Sequence, residues 1–213
     1  MSNKGNLFVI SAPSGSGKTS LASSIIHQVP NLEFSISHTT RKPRAGETDG
    51  VEYYFVGEPE FKKMVDEDAF LEWAPVYGNY YGTSRTFVGL RRASGCDVLL
   101  DIDVQGARKV QLQEPAATMI FVLPPSYQVL EKRLQKRGSD NSRVIESRLE
   151  FAREEINCHK EYDYLVLNDD MDLAIDELKS VIGSVRCRHD RRIKLAEQIV
   201  SSFERPDSER NKL

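Results

Sequence analysis

Apolar residues along this chain come in short blocks separated by stretches of helical period. The first block, residues 7–11 (LFVIS), stops near Pro13 and two glycines. A helical pattern through Lys18, Leu21, Ile25 and Ile26 follows, which predicts strand, loop, helix. Comparable blocks recur at residues 34–37, 98–102, 119–123 and 164–167, each beside a helix-period segment. Such alternation predicts an α/β fold with a mostly parallel five-stranded sheet flanked by helices.

Two stretches break the alternation. Residues 41–81 are rich in Gly, Tyr and charge, with strand-like pieces at 53–56 and 72–77, as in a small mixed insertion. In residues 133–153 a polar run at 138–142 interrupts two helical patterns. The second pattern puts Ile145, Leu149, Ala152 and Ile156 on one face and leaves Arg148 and Arg153 off it, as in a helical flap. Beyond Asp172, the residues Ile175, Leu178, Ile182 and Val185 mark a closing helix, and the charged residues 204–213 read as a frayed tail.

With 213 residues, 39% apolar and 29% charged, the chain has enough core for one domain with smaller insertions. Its 29 basic and 32 acidic residues leave a net charge of −3, which removes the simple electrostatic case for a nucleic-acid binder. A bound polyanion would have to be gripped locally. Cys96, Cys158 and Cys187 are odd in number and far apart, fitting neither a disulfide framework nor a zinc ribbon, so they read as reduced thiols. His27, His38, His159 and His189 form no metal-ligand spacing. The first apolar block is too brief for a signal-peptide core or a membrane span, and a cytoplasmic location is expected.

Between the first strand and first helix lies Ala12-Pro13-Ser14-Gly15-Ser16-Gly17-Lys18-Thr19, which departs from the P-loop pattern GxxxxGK[ST] only at Ala12. Glycines there let successive backbone N–H groups turn inward onto phosphate oxygens, and the helix N-terminus adds partial positive charge. Lys18 supplies a full charge to the β- and γ-phosphates, and Thr19 a hydroxyl for Mg²⁺, a hard cation that prefers oxygen. A nucleoside triphosphate site is expected.

The block Ser37-His38-Thr39-Thr40-Arg41-Lys42-Pro43-Arg44-Ala45-Gly46-Glu47, continuing through Gly50, Tyr53 and Phe55, closely resembles the guanylate kinase signature TTRxPRxGExxGxxYxF. Residues 71–74 (LEWA) and 78–83 (GNYYGT) resemble that family's guanine-pocket segments. Residues 101–106 (DIDVQG) match its Asp-x-Gln-Gly stretch, and Arg133, Arg137, Arg148 and residues 162–170 follow its lid and last strand. The likeness covers residues 7 to about 203. It implies a P-loop kinase core (1–36, 84–132 and 160–203), a GMP-binding insertion (37–83), a lid (133–159) and a polar tail (204–213).

By that resemblance, Ala12 to Thr19 with Arg133, Arg137 and Asn168 bind ATP. Ser37, Arg41, Arg44, Glu47, Tyr53, Glu72, Tyr81, Thr83 and Asp103 bind GMP, and Lys18, Arg41, Arg137 and Arg148 are the catalytic cations. Mg²⁺ is held by Thr19, with Asp101 a candidate to reach it through water. Read alone, Arg41 and Arg44 lie three apart in a loop with Pro and Gly and can converge two guanidinium forks on one phosphate. Guanine presents adjacent N1–H and N2–H₂ donors where adenine does not, and an ionised carboxylate only accepts, so Glu72 is the natural base selector. The other reading of Glu72 is a surface acid on an edge strand. Asp103 could equally cap the helix starting near Val104, and Asn168 could simply form a turn.

The resemblance implies ATP and GMP, and by expectation dGMP, giving ADP and GDP in purine nucleotide metabolism. No nucleic acid or membrane partner is expected; a homo-oligomer is left open. The alternatives are a kinase on another small phosphate acceptor such as a ribosyl bisphosphate, or a noncatalytic guanylate-kinase-like module that binds phosphopeptides.

Overall fold

β1 (Leu7–Ser11) is buried at every residue, which demands a sheet covered on both faces. The computed structural model, which describes residues 4–136 and 142–203, continues with α1 (Lys18–Ile26), β2 (Leu32–Phe34), β3 (His38–Thr39), β4 (Tyr54–Phe55), α2 (Glu58–Asp66), β5 (Phe70–Val76), β6 (Asn79–Ser84) and α3 (Arg85–Ala93). Then come β7 (Asp97–Asp101), α4 (Val104–Gln113), β8 (Thr118–Leu123), α5 (Tyr127–Lys136), α6 (Ser142–Glu155), a 3-10 segment (Ile156–Glu161), β9 (Tyr164–Leu167), α7 (Met171–Arg186) and α8 (His189–Ser202).

The core sheet has five strands in the order β2-β7-β1-β8-β9, every pair parallel. Side chains alternate across it. Phe8 and Ile10 pack with Leu21 and Ile25 of α1 and with Ile175, Leu178 and Ile182 of α7. Leu7 and Val9 pack on the other face with Val88 of α3 and Val110 of α4. Emptying one such position, as in Ile10→Ala, would cost about 2–5 kcal/mol. Because the strands are parallel, β1, β7 and β9 deliver the P-loop, Asp101 and Asn168 to the same carboxyl edge, where α/β sheets hold ligands.

A second sheet, β4-β3-β6-β5, is built from residues 38–84 and is mixed: β3 and β4 run parallel, the other pairs antiparallel. β5 and β6 form a hairpin turned by Tyr77 (φ 48°) and Gly78 (φ 76°), the two positive-φ residues that a tight hairpin needs. On α5 and α6, Leu130, Leu134, Leu149 and Ala152 form a separate small cluster.

Some elements differ from the sequence reading. The second core strand is Leu32–Phe34 rather than 34–37: after Phe34 one more amide, that of Ser35, reaches β7 at Leu99, and Ser37 already accepts from Tyr54. The strand piece 72–77 begins earlier, at Phe70, and ends before the Tyr77 turn. Ile156 falls in the 3-10 segment beyond α6 rather than continuing its face. α7 is followed by α8, which has no buried residue; the sequence reading did not place it, although Ile193, Ala196, Ile199 and Val200 recur at helical spacing. The tail 204–213 lies outside the described residues. Among the described residues, the three cysteines are free, no helix is long and apolar enough to cross a membrane, and no His, Cys, Asp and Glu cluster could hold a metal.

Candidate functional site

One cleft of about 800 Å³ runs from the P-loop to the small sheet. At its core end, Gly15 (φ 95°) and Gly17 (φ 87°) take the left-handed backbone that an L-residue avoids, and the Ser16 amide closes the turn onto the Pro13 carbonyl. Ala12 has no positive φ and packs into the core with β1. A leading glycine is therefore dispensable here.

Lys18 Nζ donates to the Ile102 carbonyl at 2.8 Å and pairs with the Asp101 carboxylate. Thr19 Oγ1 donates to the other Asp101 oxygen at 2.8 Å. Asp103 caps α4, accepting from the Gly106 amide at 2.9 Å, and lines the cleft as well, so capping and exposure to a ligand coexist.

The far end is charged. Arg41 and Glu47 form a bidentate pair, Nη1–Oε2 2.9 Å and Nη2–Oε1 2.8 Å, a fork-to-fork geometry with directional strength. Arg41 holds the Glu47 carboxyl below its ordinary range. The Arg41 guanidinium also lies 5.2 Å from the centre of the Tyr53 ring, and Tyr81 meets Tyr53 edge-on. Burial pushes the Tyr53 phenol up to about 12, so it stays a neutral donor. Arg44, on the same loop, lines the cleft, as does Ser37.

Glu72 is 4% exposed, which removes the surface-acid reading although β5 is indeed an edge strand. Thr83 Oγ1 donates to Glu72 Oε1 at 2.6 Å. Burial, the larger influence, pushes the carboxyl up to about 7, against the hydrogen bond from Thr83.

Three predicted residues do not line the cleft. Thr83 lies behind Glu72. Asn168 and Arg133 brace the loop from outside: Asn168 Nδ2 donates to the Ser16 carbonyl at 2.6 Å, and Arg133 donates to the Asn168 carbonyl at 3.0 Å. Arg137 lies outside the described residues. Glu155 and Tyr77 are among the cleft residues that were not anticipated. Glu155, at the end of α6, accepts from the Ser14 amide at 3.3 Å, and Tyr77 stacks against the Arg148 guanidinium at 5.6 Å. A Tyr-Gly turn between alternating segments could have flagged Tyr77. Nothing local marks Glu155.

Residues 4–185 match the sequence model of the family described as "Guanylate kinase". The chain belongs to the guanylate kinase family. It is 50% identical over 187 residues to the guanylate kinase of Shewanella violacea, covering 87% of this chain and 90% of that one. To that of Caldanaerobacter subterraneus it is 48% identical, covering 88% and 91%. The crystal structure of guanylate kinase from Anaplasma phagocytophilum superposes with a TM-score of 0.81 at 31% identity, covering 97% of this chain and 99% of that one. The guanylate kinase match ends inside α7, so α8 lies beyond it.

Proposed function

We propose that the protein transfers the γ-phosphoryl group of ATP to GMP, giving ADP and GDP. The observation that carries the substrate choice is the acceptor-only carboxylate of Glu72, buried at one end of a cleft whose other end is the P-loop. Guanine's N1–H and N2–H₂ pair with its two oxygens; adenine offers an acceptor there and leaves the buried acid unsatisfied. Ser37 and Asp103 complete the nucleotide contacts while Thr83 holds Glu72 from behind, and Arg41, Arg44, Tyr53 and Tyr81 grip the acceptor phosphate, with Glu47 fixing Arg41.

The acceptor is a phosphate monoester with a second pKa of about 6, largely dianionic at neutral pH. It needs no general base. The work is to bring two polyanions in line and to offset charge on the transferring group. The P-loop amides and Lys18 hold the donor, Arg41 and Arg44 the acceptor, and Arg148 approaches from α6, with Arg137 assigned the same duty. Arg133 and Asn168 steady the loop on the adenosine side. The hydroxyl of Thr19 and the carboxylate of Asp101 are hard oxygen donors side by side, the set that Mg²⁺ takes; bound there, it would neutralise β- and γ-phosphate charge. Residues 37–83 act as the acceptor-binding insertion and 133–159 as a lid that excludes water.

Purified protein assayed for ADP release with GMP, dGMP, AMP, UMP and a ribosyl bisphosphate tests the reading. GMP is expected to be preferred, with dGMP also accepted; preference for AMP or the sugar phosphate would overturn it.

A further inference from the structure

Glu72 sits on an edge strand, and edge strands leave alternate carbonyls without a strand partner. In this protein a helix supplies the donors. Gln113 Nε2 donates to the Leu71 carbonyl at 2.9 Å, Lys109 Nζ to the Trp73 carbonyl, and Gln105 Nε2 to the Pro75 carbonyl at 3.4 Å. The donors are four residues apart on α4, about 6 Å along a helix. The acceptors are two apart on β5, about 6.7 Å along a strand. The repeats nearly match, so one face of α4 engages the whole outer edge of β5 and holds the residues on both sides of Glu72. Lys109 also stands 4.6 Å over the Trp73 ring.

A second observation concerns the carboxylate itself. At Gly106, on the same helix, an added Cβ would overlap Glu72 Oε2 and come within 3.1 Å of both the Glu72 carboxyl carbon and Asp103 Oδ1. The missing side chain makes the room in which Glu72 lies, while Thr83 holds its other oxygen.

We propose that α4 gauges the guanine site: Lys109 and Gly106 are positioning residues that set where the Glu72 carboxylate meets the base. This rests on Glu72 being the base selector. It makes a core helix, rather than the insertion alone, responsible for substrate choice.

The test is steady-state kinetics with GMP and ATP varied separately, on the full chain, for Gly106→Ala, Lys109→Met, Lys109→Gln and Glu72→Gln. Gly183→Ala serves as a control at a helical glycine with open space around it. Gly106→Ala should raise KM for GMP tenfold or more, since a displacement of about 1 Å costs up to about 100-fold, while KM for ATP and the control stay within about twofold. Lys109→Met should raise KM for GMP, and Lys109→Gln, which keeps a donor, should recover most of it. If Gly106→Ala does not fold, the Lys109 pair decides. Unchanged GMP kinetics in a folded Gly106→Ala or in Lys109→Met, or equal losses for both nucleotides, would overturn the proposal. If Glu72→Gln is defective for GMP while the α4 variants are not, only the role of α4 falls. If Glu72→Gln is silent, the selector reading falls and this inference with it.

Discussion

The two ends of the cleft are built on different principles. At the end proposed for the donor, the cleft is shaped by a turn whose backbone is set by Gly15 and Gly17 and backed by a strand buried along its whole length. At the acceptor end it is lined by side chains from a loop, from β5 and β6 and from the core, held by ion pairs and hydrogen bonds such as Arg41–Glu47 and Thr83–Glu72. Backbone recognition is generic for phosphate and tolerates sequence change outside its glycines. Side-chain recognition can sort one base from another, and each member is singly breakable.

The strongest challenge to that contrast is Lys18→Met, since Lys18 brings a full positive charge on a side chain to an end otherwise dominated by the glycine turn. kcat should fall about 1,000-fold with the fold intact, read by single-turnover kinetics; an unchanged kcat would refute the donor assignment. Next, Glu72→Gln puts amide donors against guanine's donors. kcat/KM for GMP should fall about 100-fold or more while ATP affinity by calorimetry stays within about twofold.

A smaller effect follows from the Glu72 carboxyl standing at about 7 in the free protein through burial. Guanine's donors favour the charged form, so KM for GMP should fall roughly tenfold from pH 6 to 8 and GMP binding should release a proton, seen as buffer-dependent heat. In Glu72→Gln the part of this dependence due to the carboxyl should vanish, leaving that of the acceptor phosphate. The stability effect has the opposite sign. The folded pKa is raised, so the protonated acid's contribution is full below about 4.5 and is lost as pH rises through about 7. The smallest expected change is at Ala12→Gly: activity within about twofold and a melting temperature lower by a few degrees, from the added freedom of the unfolded chain.

Much of this was legible in the chain because it is local. The P-loop is eight consecutive residues between a strand and a helix, and the apolar faces of α1 and α7 repeat at helical period. The proposed acceptor pocket was suggested only by resemblance to a family, because Ser37, Glu72 and Asp103 come from separate elements and no short-range pattern binds them together. The burial of Glu72 was hidden, since an acid between Leu71 and Trp73 looks the same on either face of a strand. Glu155 against Ser14 spans 141 positions, and such a pairing leaves no periodic trace. α8 was missed although Ile193, Ala196, Ile199 and Val200 recur at helical spacing, because the reading stopped at the apolar face of the helix before it.

The donor ladder from α4 also bears on how this molecule avoids others of its kind. The small sheet has two open borders. One, β4, is only two residues long, too short to template another strand. The other, β5, is seven residues long, and its outward carbonyls are already taken by Gln105, Lys109 and Gln113. A stray strand finds no row of vacant acceptors along that border of the small sheet, so β5 does not offer a ready template for pairing.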